Sequence, residues 1–498
     1  MSIPAPRPRS RWLPLLAILV LVAPLLARAD EPPFPKGAPW LNVSRPLNAA
    51  DLRGHVVLLD FFTPGCINCI HVLPETDKLE REFGKRLLVI GVNSPKFEAS
   101  RERANLEGFI ARYAIRHPLV SDSGMVLWNH YNVFAWPTQV LLGPDGKVVG
   151  HYVGEGKYNA IRTDVIKTLK AAHAAGTLRN NALPLQAMSL AHHGLLQPGK
   201  VAVDAHYVAV SDSGHNRVLL FDRHGRLLLR VGDGRRGDRD GAAKTARFDG
   251  PQGLAFRGNT LYVADTGNSL IRAIKLPVGT VTTVAGNGEQ DFVVDGDYGA
   301  RKIGLNSPWG LELAGDTLYI AMAGDHQVWK FDLASDRIQP YAGSGDEGLA
   351  DGWLPRSNFA QSSGLAYGKG LLYVADPESS SVRRVDIKSG KVETLIGRGL
   401  FTFGLRNGKA EQALLQHDQG LALIGDKLYI ADTFNNAVRV LDLKSDTVST
   451  LASGLKQPGG LAQLDDHTLL VADSNANRIV AVDTRSGEVH AWPLSGLK

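Results

Sequence analysis

Six stretches of this chain repeat one pattern. The blocks 201–212, 254–265, 311–322, 365–376, 421–432 and 461–473 align by eye: a short apolar strand, a turn, then a strand of Leu-Tyr-Val-Ala-Asp type. Their closing residues are Asp212, Asp265, Met322, Asp376, Asp432 and Asp473, which recur every 41–57 residues. A third strand follows each block, as at 270–276 or 438–442, and a fourth often ends on an Ala-Gly turn, as at 281–286. A single four-stranded sheet cannot bury both faces alone, so repeats of this length must stack against one another. The pattern predicts an all-β propeller of six blades over residues 198–498.

The chain ahead of the repeats is of another kind. Only 13 of the 53 glycines, but both cysteines, fall in residues 1–185. Strand-like and helix-like segments alternate there, the pattern of an α/β domain. At 498 residues the chain exceeds the about 250–300 at which single cores stop growing, so two domains are expected on size alone. Residues 173–197, with Gly176, Asn180, Asn181 and Pro184, read as a linker. An apolar fraction of 44% excludes a disordered chain. Two cysteines exclude a disulfide-dense scaffold and a four-cysteine zinc site.

The N-terminus reads as an export signal. Arg7, Arg9 and Arg11 precede an apolar run over 13–26, interrupted by Pro14 and Pro24, and Ala27-Arg28-Ala29 supplies a cleavage site. The run is shorter than the about 20 residues a membrane span needs. The expectation is a signal peptide over 1–29, a mature chain from Asp30 without a stable membrane span, and an exported, periplasmic or secreted location. Four arginines and no acids lie in those 29 residues; without them the net charge falls from +5 to +1. That balance gives no bulk footprint for nucleic acid.

Residues 56–62 form a continuous apolar run broken only by Asp60, as in a buried parallel strand. Thr63-Pro64-Gly65 turns the chain, Cys66-Ile67-Asn68-Cys69 follows, and 70–83 has helical spacing. Cys66 therefore sits where a strand ends and a helix begins. Free backbone N–H groups and the helix dipole there favour a thiolate, the form that attacks disulfides. Cys69, one turn on, can close the ring. Three other readings exist. A structural disulfide over so short a loop constrains the unfolded chain little. A metal site would need two more ligands; His71 is near but itself reads as an exposed helix residue, and no second pair is evident. A peroxidatic Thr63-x-x-Cys66 would want a proline where Leu59 stands.

Around the cysteines the residues resemble the thioredoxin superfamily, especially its exported thiol-disulfide oxidoreductases, over about 38–172. Asp60 lies six residues before Cys66 and Pro74 eight after it; Trp136-Pro137-Thr138 precedes a strand at 139–142; Gly143-Pro144-Asp145-Gly146 makes a hairpin turn. The resemblance implies that Cys66 attacks, Cys69 resolves, Asp60 assists the proton at the second cysteine, and a cis Pro137 faces the pair. It implies no cofactor and no metal. Ile67-Asn68 departs from the Gly-Pro of thioredoxin, which leaves reductant, oxidant and isomerase open. The blocks Asp265-Thr266-Gly267-Asn268, Asp432-Thr433-Phe434-Asn435-Asn436 and Asp473-Ser474-Asn475-Ala476-Asn477 resemble NHL repeats. From about 38 to 490 the chain resembles a family that joins a thioredoxin-like domain to a six-bladed NHL propeller.

The expected function is an exported thiol-disulfide oxidoreductase acting on protein thiols and disulfides, with a propeller that binds a protein partner. The alternative is a propeller scaffold whose thioredoxin-like domain is not catalytic. The repeated aspartates read as turn caps, since one per blade most simply serves each blade. Departures from the repeat are better candidates. Blade three has Ala321-Met322-Ala323-Gly324-Asp325-His326, and Trp309 where Gln252 and Gln419 stand elsewhere. Trp309 and Trp136 are the candidate partner contacts. The arginine-rich loop 232–239 reads as a solvated turn, and no non-repeating ligand cluster supports a metal-dependent enzyme in the propeller channel.

Overall fold

The computed structural model describes residues 32–179, 181–188 and 194–497; the expected signal peptide 1–29 and its cleavage at Asp30 lie outside them. No helix among the described residues is long and apolar enough to cross a membrane.

The first domain runs β1 (Trp40–Leu41), α1 (Ala49–Leu52), β2 (Val56–Phe62), α2 (Ile67–Phe83), β3 (Leu87–Asn93), α3 (Arg103–Tyr113), β4 (Leu119–Ser121), α4 (Val126–His130), β5 (Thr138–Leu142), β6 (Val148–Val153) and α5 (Tyr158–Ala174). Its sheet has the order β1-β4-β3-β2-β5-β6. β2 runs parallel to β3 and antiparallel to β5. Both β2 and β3 are buried at every position because helices cover both faces, which explains their unbroken apolar runs. Leu79 and Phe83 of α2 and Ile161, Val165 and Leu169 of α5 pack on Val56, Leu58 and Val89. Leu52 and Leu127 cover Val57, Leu59 and Phe61 on the other side.

The stretch after α5 does not hang free between the domains. The N–H of Arg179 donates to the Gly54 carbonyl, that of Gln186 to the Asn42 carbonyl, each at 2.9 Å. The N–H of Met188 reaches Asn42 Oδ1, also at 2.9 Å. The described part of the linker is thus sewn onto the first domain.

Residues from Pro198 on form six antiparallel sheets of four principal strands, each laid down from the channel outward. The chain end closes the circle: Ser495 bridges Arg226 beside the outer strand of blade one. The channel-lining strands meet so closely that five of them need glycine. A Cβ at Gly310 would lie 2.7 Å from the Ser363 carbonyl oxygen, and one at Gly420 2.7 Å from that of Gly459. Gly253, Gly364 and Gly460 are equally confined.

The repeated aspartates are structural. Each ends a second strand, is fully buried, and accepts the N–H of the loop that brings in the first strand: Leu196 to Asp212, Asp249 to Asp265, Ala360 to Asp376, Gln416 to Asp432 and Lys456 to Asp473. In blades two and five the same carboxylate also pairs with an arginine seven residues on: Asp265 with Arg272 and Asp432 with Arg439, both at 2.7 Å with neither side chain exposed. Blade three puts Met322 and Trp329 in these two places, both fully buried. An apolar couple there replaces an ion pair, an exchange that costs little when both partners change together.

Asp432→Ala should therefore strand the Arg439 charge and cost about 3–5 kcal/mol. Asp432→Met combined with Arg439→Trp should recover part of that loss, since the Gln416 N–H stays without its acceptor. Denaturant midpoints of the full chain check this; a double variant no more stable than the single one would refute the equivalence of the two pairs.

Candidate functional site

The turn Thr63-Pro64-Gly65 is tight because Gly65 adopts a φ of +96°. It delivers Cys66 to the N-cap of α2, where Cys66 Sγ accepts the N–H of Cys69 at 3.3 Å. Both thiols are unbonded to each other and buried, at 5% and 1% exposure. Burial pushes the Cys69 thiol well above its ordinary value; its hydrogen bond with Cys66, the Cys66 charge and Asp60 push the same way. Asp60 on β2 is buried, with Oδ1 lacking a partner among the described residues. Burial raises its carboxyl to about 7; nearby His117 lowers it, while Glu75 and Glu80 raise it. Directly across the strand pair from Asp60 lies Gln139, whose two amide atoms are also buried without partners among the described residues. The Trp136–Pro137 peptide is cis. Trp136 is half-buried, donating its ring N–H to the Ser94 carbonyl at 2.8 Å and packing on Trp128.

This face of the domain sits on the propeller mouth where the channel strands begin. Six loop residues ring that mouth in the left-handed conformation: Gln197, Gly250, Ser307, Gln361, His417 and Gln457. Three of them grip the cysteine segment. Gln361 Oε1 accepts the Ile67 N–H at 2.6 Å. Ser307 Oγ bonds His71 Nε2 at 2.6 Å, and Glu155 holds the other ring nitrogen. The His417 ring lies so close to Gly65 that a Cβ there would come within 2.6 Å of Nε2. Ile67 and Ile70 pack on Trp309 and Ala323 of blade three. Beside them Lys96 Nζ donates to the Glu378 carbonyl at 2.9 Å and to its carboxylate, with both side chains buried. Phe97 packs against Phe403, His417 and Phe434. Burial lowers His417 to about 4, although Glu378 pulls the other way, so its ring is neutral.

Below the cysteine loop a cavity of about 50 Å³ is lined by Pro64, Gly65, Ile70, Asn105, Phe109, Arg112 and Tyr113 of the first domain and Gln197, Trp309, Gln419 and Gln457 of the propeller. Under it runs the channel, about 380 Å³. Lys200 stands where the other blades have their confined glycine. Its Nζ donates to the carbonyls of Gln419 and Gly459, across the channel mouth. Among the described residues no group of three or more His, Cys, Asp and Glu could hold a metal ion.

Two expectations change. Trp309 is 6% exposed and covered by the chain's own α2, so it is an internal contact and offers no surface to a second protein. His71 is not an exposed helix residue: its side chain is 8% exposed between Glu155 and Ser307. Cys66, Cys69, Asp60 and Pro137 stand on the elements expected of them. Sequence reasoning missed Gln139, Gln361, His417, Arg112 and Lys200. A signal existed for one: Lys200 breaks a column of glycines.

A Thioredoxin-like family model matches residues 54–148. Human NHL repeat-containing protein 2 is 36% identical over 517 residues, covering 93% of this chain and 71% of that protein. The Arabidopsis thaliana protein SUPPRESSOR OF QUENCHING 1, chloroplastic, is 35% identical over 494 residues, 92% of this chain and 47% of its own length. The Thiol-disulfide oxidoreductase ResA of Bacillus thuringiensis is 29% identical over 105 residues, 21% of this chain and 58% of ResA. Gly65 and Ile67, on either side of Cys66, thus lie against propeller residues in a chain similar to NHL repeat-containing protein 2 along nearly its whole length, and the chain belongs to that family, a thioredoxin-like domain joined to a six-bladed NHL propeller.

Proposed function

We propose that this protein is an exported thiol-disulfide oxidoreductase whose propeller covers its reactive pair. The observation that carries the reading is the acceptance of the Cys69 N–H by Cys66 Sγ at the start of α2, with a half-ionisable Asp60 beneath the second thiol. A cysteine at a helix N-cap receives backbone donors and the positive end of the dipole, which favour its thiolate. The Cys66 thiolate attacks one sulfur of a disulfide RS–SR′, forming Cys66–S–SR and releasing R′S⁻. Asp60 takes the proton of Cys69, whose sulfur attacks Cys66 Sγ and expels RS⁻. The substrate gains two electrons and the pair becomes a disulfide. The steps run in either direction, and the pair's potential sets which.

The basic, short-cored N-terminus with Ala27-Arg28-Ala29 supports export. The family likeness to a named thiol-disulfide oxidoreductase supports the chemistry over the first domain. A second reading has its own support: a scaffold in which the propeller binds a protein and the pair is inert, favoured by the burial of both sulfurs.

Cys69→Ser should hold partners as mixed disulfides through Cys66, and Cys66→Ser should hold none; capture by neither would leave the scaffold. The resolving step should quicken as pH rises through about 7, where Asp60 ionises. Asp60→Asn should slow that step about 100-fold at neutral pH, abolish the inflection and leave the first attack unchanged. Stopped-flow measurement of the two phases checks it, and an unaltered pH profile would remove Asp60 from the mechanism. N-terminal sequencing of the protein from its producing cell should start near Asp30; an intact Met1 on soluble cytoplasmic protein would contradict export.

A further inference from the structure

Two buried N–H donors on residues that line the cavity beside the cysteine loop have no acceptor among the described residues. Trp309 is more than nine-tenths buried, lines this cavity, and its Nε1–H has no partner among the described residues. Arg112, reaching in from α3, has a buried Nε–H that is likewise unmet. Lys200 lies near enough to Arg112 for the two cations to repel. It spends two of its three N–H donors on the carbonyls of Gln419 and Gly459. Buried donors without acceptors cost about 1–3 kcal/mol each, so their convergence from two domains on one space asks for a ligand.

The geometry points to an anion subsite here, formed by Arg112 and Trp309 above Lys200, that takes the carboxylate of a low-molecular-weight disulfide or thiol reacting at Cys66. The inference rests on the redox reading above and names its substrate class. Three observations choose this ligand. The donors are all N–H groups, two of them on cations, so the ligand is an acceptor and negatively charged. A space of about 50 Å³ admits a group the size of a carboxylate and excludes a loop of a folded protein. Pro64, Gly65 and Ile70 form one wall, so a ligand anchored there has its next atoms against the turn that carries Cys66. The acid behind Lys200, Asp418, is fully buried. Burial, then the field of Asp432, push its carboxyl well above the ordinary range, with Lys200 pulling the other way, which lessens the negative charge an anion would meet. Burial and Arg112 together bring the Lys200 ammonium down to about 7, and an anion between the two cations would offset that repulsion.

The test uses the full-length reduced protein and three small molecules. Suberate, a dicarboxylate without sulfur, reads the subsite by calorimetry. 3,3′-Dithiodipropionate and 2-hydroxyethyl disulfide, one anionic and one neutral, read oxidation of the cysteine pair in a single turnover. Suberate should bind, and Arg112→Leu should weaken it at least about tenfold, the range of one charge-assisted hydrogen bond. Trp309→Phe, which keeps the ring on Ile67 but removes the N–H, should weaken it less. The anionic disulfide should oxidise the pair about tenfold faster than the neutral one. Arg112→Leu should bring that ratio to near one without slowing the neutral reagent. Absence of suberate binding, or binding and a preference untouched by both substitutions, overturns the subsite. If neither disulfide oxidises the pair while suberate binds through Arg112, the subsite stands and the redox reading falls.

Discussion

The contact on which this molecule turns is a single backbone N–H. Ile67, between the two cysteines, donates it to Gln361 Oε1 of the propeller at 2.6 Å. The first N–H groups of a helix have no partner within it, and in a thioredoxin-like fold they surround the reactive sulfur. Here one of them is satisfied from another domain. The consequence is that the cysteine segment, the loop before it and the helix face after it are all parts of an interface. Separating the domains would expose Ile67, Trp309 and the Phe97 cluster and strand the Lys96–Glu378 pair. Returning that apolar surface to water is what disfavours the open arrangement.

That arrangement reshapes the chemistry expected of a Cys-x-x-Cys pair. An exposed pair meets protein disulfides directly. This pair is buried, and the turn before it lies between the neutral His417 and a small cavity lined by both domains. The propeller thus contributes to the site itself, through Gln361, His417, Trp309 and Ser307. Lys200 reaches across the same mouth of the channel, the one long side chain in a ring of glycines.

Much of the fold was legible in the sequence, and for physical reasons. Six repeats of a strand pattern have one economical packing, and β2 and β3, buried on both faces, had to be apolar throughout. Cys66, Cys69, Asp60 and Pro137 were legible because their spacing along one chain places them at the end of one strand, the start of one helix and the head of another strand. What escaped was the relation between the domains. No periodicity reports that His71 faces Ser307, 236 residues away. Trp309 was visible as a departure from its repeat, but exposure was the wrong inference: an aromatic that breaks a repeat marks contact, and the contact was with the chain's own α2. Met322 and Trp329 broke the repeat for an unrelated reason, the exchange of a buried ion pair for an apolar couple.

The claim that the propeller closes over the cysteine segment is tested most directly by hydrogen exchange at the Ile67 amide in the intact reduced protein. Held by Gln361 in a buried interface, it should exchange orders of magnitude more slowly than an unstructured amide, and Gln361→Ala should strip that protection while leaving the strands of blade four protected. An Ile67 amide that exchanges at the rate of an exposed loop, or one indifferent to Gln361→Ala, would contradict the account.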